Sequence, residues 1–284
     1  MIDLAPGHKI GLVVANSVLL AGGTVGYGEA IHPNLVMSTL GAVVVGPILR
    51  QGTAGAAWPR LAETPTGFVL ATGLQNRGVN AVVKHFGRQW SKLGCPVIAQ
   101  IADRASHALA EVVERLGNVA GLAALEWLLP ADADAELIRR GVRAIVRSSE
   151  LPLWLTLPFS SPAALAAMAT TAVEAGAVGL VVGQPQPAHL LRPNHTTHTY
   201  LPVAGALYGP LAFAPMLANL AHIAALSLPA ALIACGGIHT PEQARQALAV
   251  GARAIQVDSA LWIEPGLPAH LVAALAHSVE VESE

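Results

Sequence analysis

The sequence predicts an α/β protein built as one closed barrel of eight β/α units. Three observations support this fold class. The chain has 284 residues, slightly above the size of about 250 residues that is typical of such a barrel. Short β-branched runs alternate with Ala- and Leu-rich stretches, which is the pattern of βαβ units. Eight such runs fit the length of the chain, so we expect a single TIM-barrel domain over residues 1–284.

The strand candidates are short apolar runs rich in Val, Ile, Leu and Ala. They are Val18–Ala21, Ala42–Val45, Val97–Ile101, Ala123–Leu128, Leu153–Leu157, Val178–Val182, Ala231–Ala234 and Arg253–Val257. Continuous apolar runs of this length are typical of parallel strands that are covered on both faces.

Helix boundary signals are clearest in the second half of the chain. Thr240 with Pro241 predicts a helix start, and Gly251 predicts its end. Ser161 with Pro162 starts another predicted helix, which ends at Gly176. Asp132 and Asp134 flank the start of the fourth helix, where negative side chains favour the helix N-terminus.

Two long segments, 51–76 and 183–208, interrupt the alternation of strands and helices. We interpret both as irregular loops, which at this length usually serve a function. Each follows a predicted strand, so both are expected at the carboxyl-terminal face of the barrel, where such barrels carry their sites.

The composition is unusually apolar. Charged residues make up 12% of the chain, against a usual share of about 25%, and the mean hydropathy is +0.53. The longest apolar runs, such as Leu40 to Leu49, reach about half of the roughly twenty residues that a membrane span needs. We therefore expect no membrane segment, and we assign the excess apolarity to buried strands and to a subunit interface of a homodimer or larger homo-oligomer.

Charge and cysteine content exclude other classes. The net charge is −2 with neutral histidines, and no basic patch indicates nucleic acid binding. The amino terminus lacks the basic flank and apolar core of a signal peptide. Cys95 and Cys235 are the only cysteines, which is compatible with a reducing, cytoplasmic setting.

Several stretches, in the same order along the chain, resemble the dihydroorotate dehydrogenase family. They are residues 21–28 (AGGTVGYG), 40–45 (LGAVVV), 60–65 (RLAETP), 73–79 (GLQNRGV), 205–210 (GALYGP), 234–238 (ACGGI) and 254–260 (AIQVDSA). The resemblance implies a flavin-binding barrel in which a hydride moves to FMN and a proton moves to a base.

The residues that the resemblance assigns to this chemistry are largely replaced. The family's two lysines correspond to Gly46 and Thr156, and its two substrate asparagines correspond to Leu70 and Leu128. The family's Cys or Ser base would lie beside Pro130, where neither residue type occurs. An anionic substrate would then find neither charge pairing nor forked hydrogen bonds in the cleft.

The phosphate end of the family's flavin site is better preserved. The candidate cofactor-binding residues are Ala21, Gly22, Gly23, Gly236, Gly237 and Ser259. Asp258 precedes Ser259 where the family has a small neutral residue, and its carboxylate would repel a phosphate. FMN binding is therefore predicted to be weak or absent, in a cavity smaller and more apolar than a flavin site. By strand parity Trp154 points into the barrel, where we expect it to fill the core.

The segment from Asn194 to Tyr200 contains the remaining candidates for catalysis. His195 and His198 could act as acid and base. They are too few for a zinc site without a third ligand, and we predict no metal. A solvated loop is the alternative interpretation of this segment.

Three functional hypotheses remain open on the sequence. The first is a diverged family member that no longer oxidises dihydroorotate and binds another small or phosphate-bearing ligand, or serves as a non-catalytic partner or scaffold subunit. The second is an FMN-dependent oxidoreductase with another substrate and a relocated base. The third is a true dihydroorotate dehydrogenase with a substituted site, which Gly46, Leu70, Leu128 and Thr156 disfavour.

Overall fold

The structure is a computed structural model that describes residues 1–194 and 196–281, with side chains through residue 276. The strands of the described residues are, in chain order, β1 (Ile2–Asp3), β2 (Val13–Val14), β3 (Val18–Leu20), β4 (Ala42–Ile48), β5 (Leu61–Thr64), β6 (Gly67–Leu70), β7 (Val97–Ile101), β8 (Leu122–Leu128), β9 (Leu153–Leu157), β10 (Gly179–Val182), β11 (Pro187–Asn194), β12 (Thr199–Tyr208), β13 (Ala231–Cys235) and β14 (Ala254–Val257).

Eight of these strands form a closed parallel barrel in the order β3-β4-β7-β8-β9-β10-β13-β14, with β14 pairing back onto β3. They coincide with the eight predicted strands, with boundaries that differ by at most three residues. The predicted fold class, a (β/α)₈ barrel, is confirmed. Every residue of β7, β9, β10, β13 and β14 is buried, which explains their continuous apolar sequences.

Helices connect the strands and surround the barrel. Their bounds are α1 (Val79–Trp90), α2 (Ser106–Leu116), α3 (Ala135–Ser148), α4 (Pro162–Ala175), α5 (Phe213–Ala224), α6 (Pro241–Val250), α7 (Ala260–Ile263) and α8 (Leu267–Val281). The larger hydrophobic core lies between the outer faces of the strands and the inner faces of these helices. No helix in the described ranges is long and apolar enough to cross a membrane.

The predicted helix caps are found at both well-marked helices. The side chain of Ser161 accepts a hydrogen bond from the N–H of Ala164, and Thr240 accepts one from the N–H of Gln243. Gly176 and Gly251 end the same helices. At α3, Asp134 is the N-cap residue. Asp132 instead pairs with the Arg104 guanidinium.

The prediction that segments 51–76 and 183–208 are irregular is wrong. β5 and β6 form one hairpin, β11 and β12 form another, and β12 pairs with β6. The result is a four-stranded antiparallel sheet, which we call the lid sheet. Its pairing joins segments more than 100 residues apart, so neither segment's own sequence reveals it. Both segments lie at the carboxyl-terminal face, as predicted. Residues of each segment line the cavity at that face, which is described below.

The lower half of the barrel interior is filled by side chains. Leu4, Leu12 and Val14, from the amino-terminal hairpin, pack with inward-facing strand residues in a second hydrophobic cluster. Trp154 is fully buried in this cluster, and its indole N–H donates to the carbonyl of Leu4 at 3.0 Å. Trp154 therefore fills the core, as predicted, and supports the floor of the barrel from below.

We expect Trp154→Ala to lower the free energy of unfolding by about 3–5 kcal/mol, because it opens a cavity in a closely packed interior. It also leaves the Leu4 carbonyl without its donor. Urea unfolding followed by circular dichroism measures the loss. Trp58→Ala is the control, since Trp58 is 78% exposed and should change stability by about 0.5 kcal/mol or less. Equal losses for the two variants would contradict this account of the barrel floor.

Candidate functional site

A cavity of about 980 Å³ opens at the carboxyl ends of the barrel strands. Its walls come from strand ends and from the lid sheet, which contributes Leu70, Gly205 and Tyr208. The volume is at the upper end of the range of about 300–1,000 Å³ for small-molecule sites. The structure therefore does not show the small cavity that the substitutions suggest.

The floor of the cavity is built around the carboxylate of Glu126, which is fully buried. Its Oε1 atom accepts hydrogen bonds from Gln100 Nε2 at 2.7 Å and from Thr156 Oγ1 at 2.8 Å. Its Oε2 atom accepts one from Gln256 Nε2 at 2.7 Å. All three donors are neutral, so the carboxylate is satisfied by hydrogen bonds but has no positive counter-charge.

Strand register explains why these side chains meet. Gln100 lies opposite Glu126 across β7 and β8, and Thr156 lies opposite Leu128 across β8 and β9. All of them occupy inward-facing positions, because alternate residues of a strand share a face. Burial raises the pKa of Glu126, while the bonds from Gln100, Gln256 and Thr156 act in the opposite direction.

Sequence reasoning did not single out Glu126, Gln100 or Gln256. A signal was present, because each is the lone polar residue in its apolar strand, β8, β7 and β14. A buried polar residue needs a hydrogen-bond partner, so three such residues in one barrel indicate a shared network. The sequence could not show which residues pair.

The four positions that the resemblance matches to family lysines and asparagines all line this cavity: Gly46, Leu70, Leu128 and Thr156. Pro130 and Ala131, beside the position of the family's base, line it as well. The structure therefore brings the substituted positions together in one place. Each of them contributes an apolar or neutral group to the wall or floor.

At Gly46 the backbone itself excludes a side chain. Its φ of +131° is strained for any residue other than glycine. A Cβ atom there would lie 2.6 Å from the carbonyl oxygen of Gln100. A lysine at position 46 would require β4 to move, so the loss of this cation is part of the strand geometry.

The predicted phosphate-binding residues fall into two groups. Ala21, Gly22 and Gly23 line the cavity. A Cβ atom at Gly22 would lie 2.6 Å from the amide nitrogen of Gln100, so the absence of a side chain at Gly22 leaves room for the Gln100 amide that binds Glu126.

The second group, Gly236, Gly237 and Ser259, is buried at the ends of β13 and β14 and is not among the cavity-lining residues. Within the described residues, their backbone N–H groups donate to no protein acceptor. Buried backbone donors are rarely left unpaired, and unpaired N–H groups at strand and helix ends are typical of anion sites.

The charges around the cavity are mainly negative. Asp103, Glu126 and Asp258 line it, and Arg104 is the one cationic side chain among its described lining residues. Arg104 is bound to Asp132. Burial raises the pKa of Asp258 to about 7, and Asp258 forms no side-chain hydrogen bond or ion pair within the described residues. An anionic ligand would gain no charge pairing on this surface.

The histidine candidates do not reach the cavity in the described part of the chain. His198 is exposed in the turn between β11 and β12 and is absent from the cavity lining. His195 lies outside the described residues. No group of three or more potential metal ligands occurs among the residues that the structure describes.

The fold and the cavity define a (β/α)₈ barrel protein with a large cavity beneath an antiparallel lid. Comparisons with known proteins identify its family. A family model described as dihydroorotate dehydrogenase matches residues 8–131. The catalytic subunit of dihydroorotate dehydrogenase B (NAD(+)) from Desulforudis audaxviator is 32% identical over 275 residues, covering 93% of this chain and 89% of that protein. The chain therefore belongs to the dihydroorotate dehydrogenase family.

One further relative agrees with this family assignment, and one solved structure agrees with the fold. The protein of the same name from Endomicrobium trichonymphae is 30% identical, covering 90% of this chain and 86% of that one. The crystal structure of DHODH in complex with ferulenol from Eimeria tenella superimposes with a TM-score of 0.78 and covers 94% of this chain and 82% of that one. At 18% identity, this last likeness supports the fold alone.

We expect Thr156→Val to lower stability by about 1.5–3 kcal/mol at pH 8, because it removes a hydrogen bond to a charged group without changing side-chain shape. Burial raises the pKa of Glu126, so ionisation of Glu126 at higher pH destabilises the folded protein. The Thr156 donor offsets part of that cost. The loss should therefore be larger at pH 8 than at pH 5, as measured by urea unfolding.

Thr171→Val is the matched control. Thr171 is 7% exposed and Thr156 is 6% exposed, but Thr171 forms no side-chain hydrogen bond with the described residues. Its replacement should be close to neutral at both pH values. A loss at Thr156 that does not depend on pH would argue against an ionisable partner.

Proposed function

We propose that this chain is a diverged member of the dihydroorotate dehydrogenase family that binds a small ligand in the barrel cavity and does not oxidise dihydroorotate. Dihydroorotate is an anion, and the cavity offers it three carboxyl groups and one guanidinium, which is already paired. Transferring its carboxylate from water would cost several kcal/mol without compensation.

The observation that carries this proposal is the bond between Thr156 and Glu126. The resemblance places a flavin-binding lysine at position 156, where a cation would neutralise the carboxylate and face the flavin ring. Thr156 instead donates a neutral hydroxyl hydrogen to Glu126 at 2.8 Å. The floor of the cavity thus has a carboxyl group with no lysine above it, so no cation is present there to stabilise the anionic form of a reduced flavin.

The backbone N–H groups that could hold the phosphate of FMN belong to residues outside the cavity lining. The unpaired N–H groups of Gly236, Gly237 and Ser259 suit a phosphate, and we propose that a residual anion site remains at the ends of β13 and β14. The positions that the resemblance assigns to the family's two lysines are Gly46 and Thr156 here, and Asp258 lines the cavity beside Ser259. We therefore expect weak FMN binding.

A second candidate function is an FMN-dependent oxidoreductase with another substrate. The cavity volume of about 980 Å³ favours it, because the substitutions have not closed the site. Its base could not be His198 in the described arrangement, since that side chain is exposed away from the cavity. Glu126 and Asp258 are the better candidates for this role, because both line the cavity and burial raises the pKa of each.

The visible spectrum of the untreated protein distinguishes these functions. We expect no stoichiometric flavin band, weak binding on titration with FMN, and no reduction of electron acceptors by dihydroorotate. The reason is the loss of two charged contacts, each worth about 1.5–3 kcal/mol. A stoichiometric flavin band or tight FMN uptake would contradict the proposal and favour the oxidoreductase.

A gain-of-function variant makes the same test sharper. Thr156→Lys should place an ammonium group beside Glu126 and increase FMN affinity roughly tenfold or more. Thr156→Met, of similar length without the charge, is the control and should leave FMN affinity low. Gly46→Lys should not help, because a Cβ atom at position 46 would lie 2.6 Å from the Gln100 carbonyl oxygen.

We also propose that the chain forms a homodimer or larger homo-oligomer in a reducing, cytoplasmic setting. Large apolar side chains are exposed on the lid sheet, where Leu191 is 58% and Tyr200 is 66% exposed. Only 12% of the chain is charged, so little charge is present to solvate a monomer surface. Both Cys95 and Cys235 are free thiols, which suits a reducing compartment.

Light scattering at micromolar concentration should give at least twice the chain mass of 29.2 kDa. Leu191→Glu combined with Tyr200→Glu should shift the protein toward monomer, because buried unpaired charges oppose association. Val146→Glu, at an exposed position on α3, is the control and should leave the mass unchanged. A monomer mass for the unmodified chain would refute the proposal.

A further inference from the structure

An unpaired carboxylate and aromatic rings line the same cavity, and the Asp258 carboxylate is close enough to the Tyr208 hydroxyl to raise its pKa. Asp258 follows β14 and is partly buried. No described side chain or backbone group binds its carboxylate. The charge is therefore available to a ligand, whereas the carboxylate of Glu126 is already satisfied by three donors.

The aromatic side chains come from the lid sheet and from the short helix α7 that follows β14. Tyr208, at the end of β12, and Trp262, four residues after Asp258, both line the cavity. Phe68 packs against both, with ring centroids 5.5 Å from Tyr208 and 5.6 Å from Trp262. The Tyr208 and Trp262 centroids are 6.4 Å apart. Phe68 thereby fixes the positions of the two rings that face the cavity.

A carboxylate beside aromatic rings favours binding of an organic cation. The faces of Tyr and Trp rings attract ammonium groups, and a carboxylate beside them adds direct charge pairing. The cation that lines the cavity, Arg104, does not compete, because it binds Asp132. The cavity's carboxyl groups also favour a positively charged occupant in general.

We propose that Asp258, Tyr208 and Trp262 form a subsite for an organic ammonium group of the ligand. This inference deepens the proposed function by naming the chemical class of the ligand. It rests on the proposed function in one respect, which is that the ligand binds in the barrel cavity. An anion bound at the backbone N–H groups of Gly236 and Gly237 is compatible with this subsite, because the anion and the ammonium group would attract each other.

The ionisation of Asp258 gives the subsite a pH dependence. Burial raises the pKa of Asp258 to about 7, so the carboxylate is largely ionised at pH 8 and largely neutral at pH 6. The titratable groups near it are the Tyr208 hydroxyl and the Cys235 thiol, whose pKa values burial and Asp258 both raise. Glu126 acts on Cys235 in the same direction. An ammonium ligand should therefore bind more tightly at pH 8 than at pH 6.

The test uses the full chain and a pair of probes that differ in charge and not in shape. Choline is the cationic probe, and 3,3-dimethylbutan-1-ol is its neutral counterpart, in which carbon replaces nitrogen. Isothermal titration at pH 8 should show choline binding roughly tenfold more tightly than the alcohol, a difference of about 1.4 kcal/mol. The larger benzyltrimethylammonium ion is a second cationic probe.

Two variants test whether Asp258 and Tyr208 bind the cation. Asp258→Asn and Tyr208→Leu should each weaken choline binding by roughly tenfold, whereas Tyr208→Phe keeps an aromatic face and should retain most of it. Asp103→Asn is the matched control, because Asp103 also lines the cavity but accepts a hydrogen bond from the Arg50 N–H. Circular dichroism verifies that each variant is folded.

Three results would overturn the proposal. They are equal binding of choline and the neutral alcohol, unchanged choline binding by Asp258→Asn, and failure of both cations to bind. None of them decides whether the chain oxidises dihydroorotate, which the flavin spectrum tests separately. Tight FMN uptake would contradict the proposed function, and the choline measurement would still stand on its own.

Discussion

The buried carboxylate of Glu126 is the constraint on which the site depends. A charge in the middle of a barrel is tolerated only when hydrogen bonds replace its lost water. Gln100, Thr156 and Gln256 supply them from three other strands. The network therefore ties four strands together above the apolar cluster around Trp154, and it forms the floor of the cavity.

The same network explains how the chain differs from the pattern of its family. The resemblance matches the family's two lysines to positions 46 and 156, where the structure has a glycine backbone and a threonine hydroxyl. With Asp258 unpaired in the wall, the charged residues that line the cavity are mainly acidic, which favours neutral or positively charged groups over anions. Barrel folds permit such changes because the site is carried by strand ends and loops, while the helices and the lower core provide stability.

Much of the fold was predictable because its signals are local. The β-branched runs, the caps at Ser161 and Thr240, and the glycines that end α4 and α6 are each read from a few adjacent residues. The positions of the substituted family residues were also predictable, since strand order and the carboxyl-terminal face determine which residues line the cavity. Gly46, Leu70, Leu128 and Thr156 do line it together.

The sequence by itself determined the barrel and its eight strands, because periodicity and capping are properties of short stretches. The resemblance, in turn, matched Gly46 and Thr156 to the family's lysine positions. Only the tertiary structure decided that two distant segments pair into the lid sheet, that Glu126 meets three neutral donors, and that Asp258, Tyr208 and Trp262 line one cavity. The reason is physical. Strand pairing across more than 100 residues and the satisfaction of a buried charge depend on which groups the closed barrel brings within hydrogen-bond distance, and local sequence does not contain that information.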